Sequence, residues 1–235
     1  GKADLVTYQE YDAYGRESDS WLPAAAAGNS GAYVPLATVK TKSSTTYGDA
    51  KAYSSVTYEA SPLSRVTGQS GPGADWYTNK KVVKTEYLSN SSSYVCRWYR
   101  ASDTRTNAQV SITSGAVNYA ANQLFVTKIT DEDGNISYEF KDKLGQVVLT
   151  RQMNSSTAHD TYYVYDSYGN LRAVLPPLAA DAMTTATTWA ETHATLVNYA
   201  YLYKYDNYNR MIAKKLPGAD WTYYVYDYAD RVIFT

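Results

Sequence analysis

The stretch TYYVYDSYGNLRAVL (residues 161–175) reads as strand, tight turn and strand. Both flanks are rich in Tyr, Val and Leu, which suit a pleated, half-buried surface. Between them Asp166 opens a polar segment, and Gly169 follows three residues later. Asp at the first position and a residue that accepts positive φ at the fourth describe a type I turn closed by a G1 bulge. The stretch therefore predicts a β-hairpin.

The same pattern recurs four more times along the chain. The copies are YDAYGR (residues 11–16), KDKLGQ (141–146), YDNYNR (205–210) and YDYADR (226–231). In every copy, Asp is followed three residues later by Gly, Asn or Asp, the residues that tolerate a left-handed backbone. The predicted structural turn pairs are Asp12 and Gly15, Asp142 and Gly145, Asp166 and Gly169, Asp206 and Asn209, and Asp227 and Asp230. The series predicts an all-β fold of consecutive antiparallel hairpins.

Two further segments fit the pattern less closely. YEASPLSR (residues 58–65) is interpreted as a degenerate copy with two extra residues. TDEDGNISYEF (residues 130–140) predicts another hairpin, with Asp133 and Gly134 in its turn.

Four of the seven prolines lie seven residues after the last residue of a turn copy: Pro23, Pro72, Pro177 and Pro217. Since proline cannot donate to a β-ladder, each is expected to end a strand. The pentapeptide PGADW occurs at residues 72–76 and again at 217–221. We interpret the two copies as equivalent exit corners, with each tryptophan starting the next strand.

Composition narrows the class of protein. The 235 residues include 22 basic and 23 acidic side chains, and this balance argues against nucleic-acid binding. The sequence contains no run of about 18 apolar residues, so it predicts no membrane-spanning helix. Tyrosine occurs 26 times and phenylalanine 3 times, which favours strands whose rings keep one wet or hydrogen-bonded end. The single cysteine, Cys96, excludes an intrachain disulfide.

Three segments depart from the hairpin pattern. Residues 187–200 predict one short helix, with Thr188 as its cap and Glu191 completing a capping box. Residues 24–54 are rich in Ala, Gly, Ser and Thr and predict an irregular or inserted segment. Residues 89–122 are predicted to be irregular apart from one strand-like core, YVCRWYR.

The repeated YDxxGR motif, preceded by a further tyrosine, resembles the YD repeats of the RHS-repeat family. The stretches YYVYDSYGNLRAVLPP and YLYKYDNYNRMIAKKLPGADW look closest to RHS-repeat proteins of Bacteroidetes. The resemblance runs from about residue 6 to residue 235. It implies a single repeat domain over residues 1–235, excised from a larger protein, whose hairpins form a curved, spiralling β-sheet.

The resemblance also implies a function. In full-length members the sheet closes into a shell that holds a variable, often toxin-like, C-terminal domain. The expected partners are therefore further repeats and the C-terminal domain of the same parent chain, and the expected location is extracellular or on the cell surface. Many members carry a DPxGL-like self-cleavage sequence, which this sequence lacks, so neither self-cleavage nor toxin activity is carried over.

Candidate chemistry within the chain is sparse, and we expect no enzyme activity, cofactor or metal. The repeat aspartates already have a turn role, because Asp side chains bond backbone N–H groups two residues on. DEDGN (residues 131–135) is similar to a calcium loop, but Ile136 stands where an EF-hand needs glycine. His159 and His193 are 34 residues apart with no cysteine beside them, and Cys96 is expected to be a buried structural residue.

The segment YAYLYKYD places Tyr199, Tyr201, Tyr203 and Tyr205 at alternate positions, on one side of a predicted strand. We favour cross-strand packing between neighbouring hairpins as their role. The alternative is a surface that binds a carbohydrate or a partner cell. The structural hypothesis is therefore a shell or scaffold, and the alternative is a cell-surface binding module.

Overall fold

The computed structural model describes residues 3–103, 105, 109–185 and 187–235. The chain forms two compact units, one comprising Gly1–Glu86 with Lys128–Ile136 and the other Tyr87–Thr127 with Ser137–Thr235. Most of the described structure is antiparallel β-sheet, accompanied by four short helices. The all-β prediction is confirmed, whereas the single repeat domain over residues 1–235 stays a prediction.

The first unit is a sheet of neighbouring antiparallel strands in sequence order. Its strands are β1 (Ala3–Tyr11), β2 (Glu17–Ala27), β3 (Tyr53–Tyr58), β4 (Val66–Ser70) and the start of β5 (Val82–Ser89). Its helices are α1 (Leu36–Tyr47) and α2 (Ala74–Thr78). Each predicted hairpin in this unit joins strands that are hydrogen-bonded neighbours, β1 with β2 and β3 with β4.

The second unit contains a small sheet, a long antiparallel sheet and a terminal hairpin. The remaining strands are β6 (Arg97–Ala101), β7 (Ser111–Asn118), β8 (Phe125–Thr130), β9 (Ile136–Lys141), β10 (Val147–Asn154), β11 (Thr157–Tyr165), β12 (Leu171–Leu175), β13 (Thr188–Ala190), β14 (Tyr201–Tyr205), β15 (Met211–Lys215), β16 (Trp221–Tyr223), β17 (Val225–Tyr226) and β18 (Val232–Phe234). The last three residues of β8 and the first residue of β9 belong to the first unit. The helices are α3 (Pro177–Ala182) and α4 (Ala194–Tyr199).

Strand order in the second unit follows the repeats. The long sheet runs β9-β10-β11-β12-β14-β15-β16, the small sheet is β13-β7-β6, and β17 pairs with β18. Alternate residues of the long sheet enter one core, whose fully buried members include Phe140, Leu149, Val164, Leu175 and Leu202. The hairpin pattern of the sequence therefore sets both the pairing and the core.

Helix α1 corrects the prediction that residues 24–54 are irregular. Its sequence, LATVKTKSSTTY, is rich in the poor helix formers Ser and Thr and buries only Val39 and Ser43. The Ser43 hydroxyl donates to the Leu22 carbonyl at 2.7 Å, and the Tyr47 hydroxyl donates to Pro23 at 2.9 Å. Gly48 closes the helix with φ of 63°. Tertiary contacts and a left-handed cap stabilise a helix that composition did not indicate.

Residues 89–122 are also more regular than predicted. The strand expected in YVCRWYR is β6, and β7 follows it and pairs with it antiparallel. Residues 104 and 106–108 of this segment lie outside the described residues.

The predicted helix over residues 187–200 is shorter, and its proposed cap is wrong. Thr188 lies in β13, whose pairing with β7 occupies the backbone that the helix would have used. Helix α4 begins at Ala194, and the His193 imidazole Nδ1 accepts the Thr195 N–H at 3.2 Å as its cap. Glu191 accepts the Val110 N–H instead of completing a capping box.

The two PGADW copies are not equivalent. In the second copy Trp221 starts β16, as predicted. In the first copy Trp76 lies inside α2, because the Asp49 carboxylate accepts the Ala74 N–H at 2.7 Å and holds the start of that helix. The surroundings of the pentapeptide, and not its five residues, select its conformation.

Three of the four aligned prolines follow the end of a strand, but Pro23 does not. Strand β2 continues through Pro23 to Ala27. Its pairing with β1 shifts register between Val6 and Tyr8, opposite the proline. A bulge tolerates a residue that has no N–H to donate.

Candidate functional site at the repeat turns

The predicted turn residues share one backbone geometry. In each of the five copies, the N–H of the left-handed residue donates to the Asp carbonyl, and the Asp N–H donates to the carbonyl of the residue after the left-handed one. The left-handed residues are Gly15, Gly145, Gly169, Asn209 and Asp230, with φ between 59° and 83°. All five copies are chain reversals.

One more segment adopts the same geometry, and the degenerate copy adopts a version that is two residues longer. Asp131 opens a turn in which Gly134 has φ of 85° and donates to the Asp131 carbonyl at 3.1 Å. The turn therefore begins at Asp131, two residues before the Asp133 and Gly134 centre that the sequence indicated. In the degenerate copy, Glu59 replaces the aspartate and Ser64 takes the left-handed position with φ of 51°. The DxxGN spacing shared with residues 166–170 was the signal for Asp131.

The aspartate side chain closes each turn from inside. Asp206 Oδ1 accepts the N–H groups of Tyr208 and Arg210 at 2.8 and 2.9 Å. Its second oxygen, Oδ2, accepts Arg210 Nε at 2.7 Å. Asp12 with Arg16 and Asp227 with Arg231 repeat this arrangement. The Asp and Arg of the YDxxGR motif are thus partners in one turn.

Hydrogen bonding keeps several of these carboxylates ionised. For Asp227, the backbone and side-chain donors of Arg231 lower the pKa. For Asp12 and Asp206, burial raises the pKa, but the donors of Arg16 and Arg210 outweigh it, so the net shift is downward. In the degenerate copy, Arg65 and Ser61 lower the pKa of Glu59 to about 2.

Four of the turns also contact the next turn through the residue that follows the left-handed position. In four cases this side chain donates to the left-handed residue of the next turn. The pairs are Arg16 to Ser64 at 3.3 Å, Gln146 to Gly169 at 3.3 Å, Asn170 to Asn209 at 3.2 Å and Arg210 to Asp230 at 2.5 Å. We call this set of contacts the turn ladder.

The tyrosine of the motif forms the second part of the turn ladder. In three copies its hydroxyl donates to the carbonyl of the first residue of the strand that leaves the preceding turn. The pairs are Tyr58 to Glu17 at 2.9 Å, Tyr205 to Leu171 at 3.1 Å and Tyr226 to Met211 at 2.8 Å. Two of these rings also form a cation–π contact with the arginine of the preceding turn. The Arg16 guanidinium lies 4.5 Å from the Tyr58 ring centroid, and the Arg210 guanidinium lies 4.9 Å from the Tyr226 ring centroid.

One turn aspartate has an additional, buried role. The Asp166 side chain is fully buried, and its Oδ2 lies 3.5 Å from Arg172 Nη1 and 3.8 Å from Arg105 Nη2. The Arg105 guanidinium also lies 4.0 Å from the centroid of the Tyr168 ring. Asp166 therefore both accepts the hydrogen bonds of its turn and belongs to a buried cluster of charged side chains.

The predicted tyrosine face is only partly a single surface. Tyr199 ends helix α4, so the prediction that it shares a strand with the other three is wrong. Tyr201, Tyr203 and Tyr205 alternate along β14 opposite the buried Leu202, and all three are half-buried. Burial raises the pKa of Tyr203 and of Tyr205. The Tyr205 hydroxyl is held in the turn ladder.

The remaining candidate residues lie apart from one another. Cys96 is fully buried, and burial raises the pKa of its thiol. His159 is exposed on β11, and His193 caps α4. The Asp131 carboxylate of the calcium-like segment accepts N–H groups of Asp133 and Asn135. Among the described residues, no group of three His, Cys, Asp or Glu side chains could hold a metal ion. Across that same part of the chain, no helix is long and apolar enough to cross a membrane.

Comparisons with known proteins agree with this architecture. A family model described as "Domain of unknown function (DUF6443)" matches residues 1–89. No curated protein matches the chain. A chain in the solved structure titled "Crystal Structure of TcdB2-TccC3" is similar over 98% of this chain, with a TM-score of 0.54 and 11% sequence identity. This protein spans 10% of that chain's length. The structural similarity shows a shared β-rich fold, and the RHS-repeat family of this chain stays a prediction.

Proposed function

We propose that this chain is a structural segment of a YD/RHS-repeat shell or scaffold in a secreted or cell-surface protein. The turn ladder is the observation that carries the proposal. The motif aspartates contact their own turns, and the side chains of the turn ladder contact a neighbouring repeat, so we infer that the motif specifies the stacking of hairpins. The resemblance of the motif to YD repeats and the similarity of the fold to the TcdB2-TccC3 chain support the same proposal.

In this proposal the repeat aspartates are structural and the segment is not an enzyme. Their carboxylate oxygens accept backbone N–H groups and, in most copies, the Arg or Asn side chain of their own turn. The partners of the segment are further repeats and a variable C-terminal domain of the parent chain, which the shell encloses or presents.

The test uses the parent protein, which should be digested with a protease at a limiting concentration. Asp166→Ala should loosen this segment and increase cleavage of the parent's C-terminal region. Asp181→Ala is the control, because Asp181 is exposed in α3 and outside the turns. Equal protection of the C-terminal region, with this segment shown to be unfolded by Asp166→Ala, would contradict an enclosing role.

A second candidate is a module that binds carbohydrate or a partner cell. Its specific support is a set of exposed rings at the turn tips, two residues after the opening aspartate: Tyr14, Tyr168 and Tyr208. Aromatic faces of this kind can stack on sugar rings. Saturable binding on a glycan panel that is lost in Tyr208→Ala would favour this candidate over the scaffold, and the half-buried Tyr201→Ala serves as the comparison variant.

A further inference from the structure

Three of the repeat turns have a tyrosine at the tip, and in two of them the turn supplies an arginine for that ring. The Arg16 guanidinium carbon lies 5.1 Å from the Tyr14 ring centroid, and that of Arg210 lies 5.1 Å from the Tyr208 ring centroid. Both distances are typical of cation–π contacts. Each arginine occupies the last position of the turn motif, next to the left-handed residue. A tyrosine at the tip is therefore matched by an arginine of its own turn in these two copies.

The turn at residues 166–169 has the tyrosine but not the arginine. Asn170 stands at the last position of the motif, and its amide donates to the Asp166 carboxylate at 3.2 Å. The guanidinium beside the Tyr168 ring belongs instead to Arg105, at 4.0 Å from the ring centroid. Arg105 lies in the connection between β6 and β7, outside the hairpin repeats. This turn therefore receives its guanidinium from another part of the chain.

Three groups surround the Arg105 guanidinium. Its Nη1 donates to the Asp206 carbonyl of the next turn at 3.2 Å. Its Nη2 lies 3.8 Å from Asp166 Oδ2, which is an ion pair without a direct hydrogen bond. The Tyr168 ring covers one face. A ring face, a carboxylate and a carbonyl match the planar shape, the charge and the N–H donors of a guanidinium group.

A second side chain of the same connection contacts the same turn. Asp103 Oδ1 accepts the Ser167 N–H at 2.8 Å, and this bond lowers the pKa of the Asp103 carboxyl. Asp103 Oδ2 lies 3.5 Å from Arg100 Nη2 in β6. Residues 103 and 105 therefore join the small sheet to two successive turns of the long sheet.

We propose that the turns at residues 166–169 and 206–209 form a guanidinium-binding site, which the chain fills with Arg105 from outside the repeat. The ligand class is a guanidinium cation. In the folded chain, this cation anchors the β6–β7 connection to the repeat turns. The inference goes beyond the proposed shell function and does not depend on it.

Asn170 leaves this site open to an outside arginine. In the next turn, Arg210 fills the equivalent site itself, because it donates to Asp206 Oδ2 and lies against the Tyr208 ring. An arginine at position 170 would fill the site of Asp166 from within the turn in the same way. The proposal therefore requires that an arginine at position 170 can substitute for Arg105.

Thermal unfolding of the whole chain with a free guanidinium compound tests the site. Arg105→Ala should lower the unfolding midpoint by about 3–6 °C, since a cation–π contact and a charged hydrogen bond are lost. Ethylguanidinium, added below denaturing concentrations, should raise the midpoint of this variant saturably. Ethylammonium has the same charge without the planar group and should not. The unmodified chain, whose site is filled, should show no saturable rise.

Arg100→Ala is the matched control, because the Arg100 side chain is 62% exposed and lies in β6 outside the site. Ethylguanidinium should not raise its midpoint saturably. Absence of a saturable rise in Arg105→Ala, or an equal rise in the unmodified chain, would overturn the proposal.

A second background supplies an independent arm, which also applies if Arg105→Ala does not fold. In Asn170→Arg the turn carries its own arginine, so adding Arg105→Ala should lower the midpoint less than it does in the unmodified chain. A folded double variant beside an unfolded Arg105→Ala would support the proposal in the same way. Equal losses in the two backgrounds would overturn it. Both arms leave the proposed shell function to its own test, which is protease protection in the parent protein.

Discussion

At the residue scale, the aspartate of each turn satisfies several donors at once. One carboxylate oxygen accepts two backbone N–H groups, and the other accepts an Arg or Asn side chain of the same turn in most copies. The left-handed residue is then either Gly, which adopts positive φ without strain, or a polar residue. Asn209 and Asp230 add an acceptor for the preceding turn.

Replacing Gly15 tests the backbone requirement alone. A Cβ at Gly15 would meet no atom within 4 Å, but φ of 77° is unfavourable for alanine. Gly15→Ala should lower the free energy of unfolding by about 1–2 kcal/mol in urea titrations. Gly71 lies in the same unit and does not have a positive φ, so Gly71→Ala serves as the control. It should change the free energy of unfolding little. Equal effects of the two substitutions would contradict the assigned turn.

Replacing Asp166 tests the buried charges. Asp166→Ala removes the carboxylate nearest to Arg172, whose side chain is 1% exposed. Because the guanidinium then stays buried without that carboxylate, the free energy of unfolding should fall by about 3 kcal/mol or more. Chemical denaturation measures this value. A loss as small as that from Asp181→Ala would refute the role of Asp166 in the cluster.

Residue-scale predictions from sequence were strongest where one side chain acts on its own turn. The turn roles of Asp166 and Gly169 can be predicted from the sequence because their spacing matches a turn type. The hydrogen bond from Asn170 to Asn209 cannot be predicted in this way, because Asn209 lies in another repeat 39 positions away. Ser64 was equally hidden, since serine seldom marks a left-handed position.

At the element scale, hairpins follow from local sequence, whereas the helices depend on context. Alternating Tyr and Val around a turn specify two strands and their pairing. Helix α1 carries no comparable signal, because its apolar residues are few and its stabilising contacts come from β2. Residues 188–190 form strand β13, and not the predicted helix, because they pair with β7. No local sequence pattern indicates this pairing.

The two PGADW copies give a matched test of context. Trp221 packs against the core of its unit, and Lys204 Nζ lies 4.3 Å from its ring centroid. Trp76 sits in α2 and is 39% exposed. Trp221→Ala should therefore lower the free energy of unfolding by about 3 kcal/mol, and Trp76→Ala by less. A larger effect at Trp76, measured by the same urea titration, would contradict the two assigned environments.

At the scale of the whole molecule, several turns depend on ionised carboxylates, so the free energy of unfolding should depend on pH. Donors lower the folded-state pKa of Asp12, Asp131, Asp206 and Asp227, and that of Glu59 to about 2. Carboxyl groups in an unfolded chain titrate near pH 4. Their contribution is therefore fully present above about pH 4 and is lost as the pH falls through the lower folded values.

Urea unfolding between pH 5 and pH 2 measures this dependence. The free energy of unfolding should decline steadily below about pH 4. Asp227→Asn, which removes one of the shifted carboxylates, should give a shallower decline. A flat profile down to pH 2 would mean that the turn carboxylates do not stabilise the fold.

The central claim is that side chains of one turn stabilise the next repeat, and a double-mutant cycle tests it most directly. Arg210→Ala, Tyr226→Phe, Tyr226→Ala and the Arg210→Ala/Tyr226→Ala double variant should be unfolded in urea under identical conditions. The account predicts that Arg210 and Tyr226 are coupled by about 0.5–1 kcal/mol, while Tyr226→Phe alone loses the hydroxyl bond to Met211. Strictly additive effects of the two alanine substitutions would contradict the turn ladder.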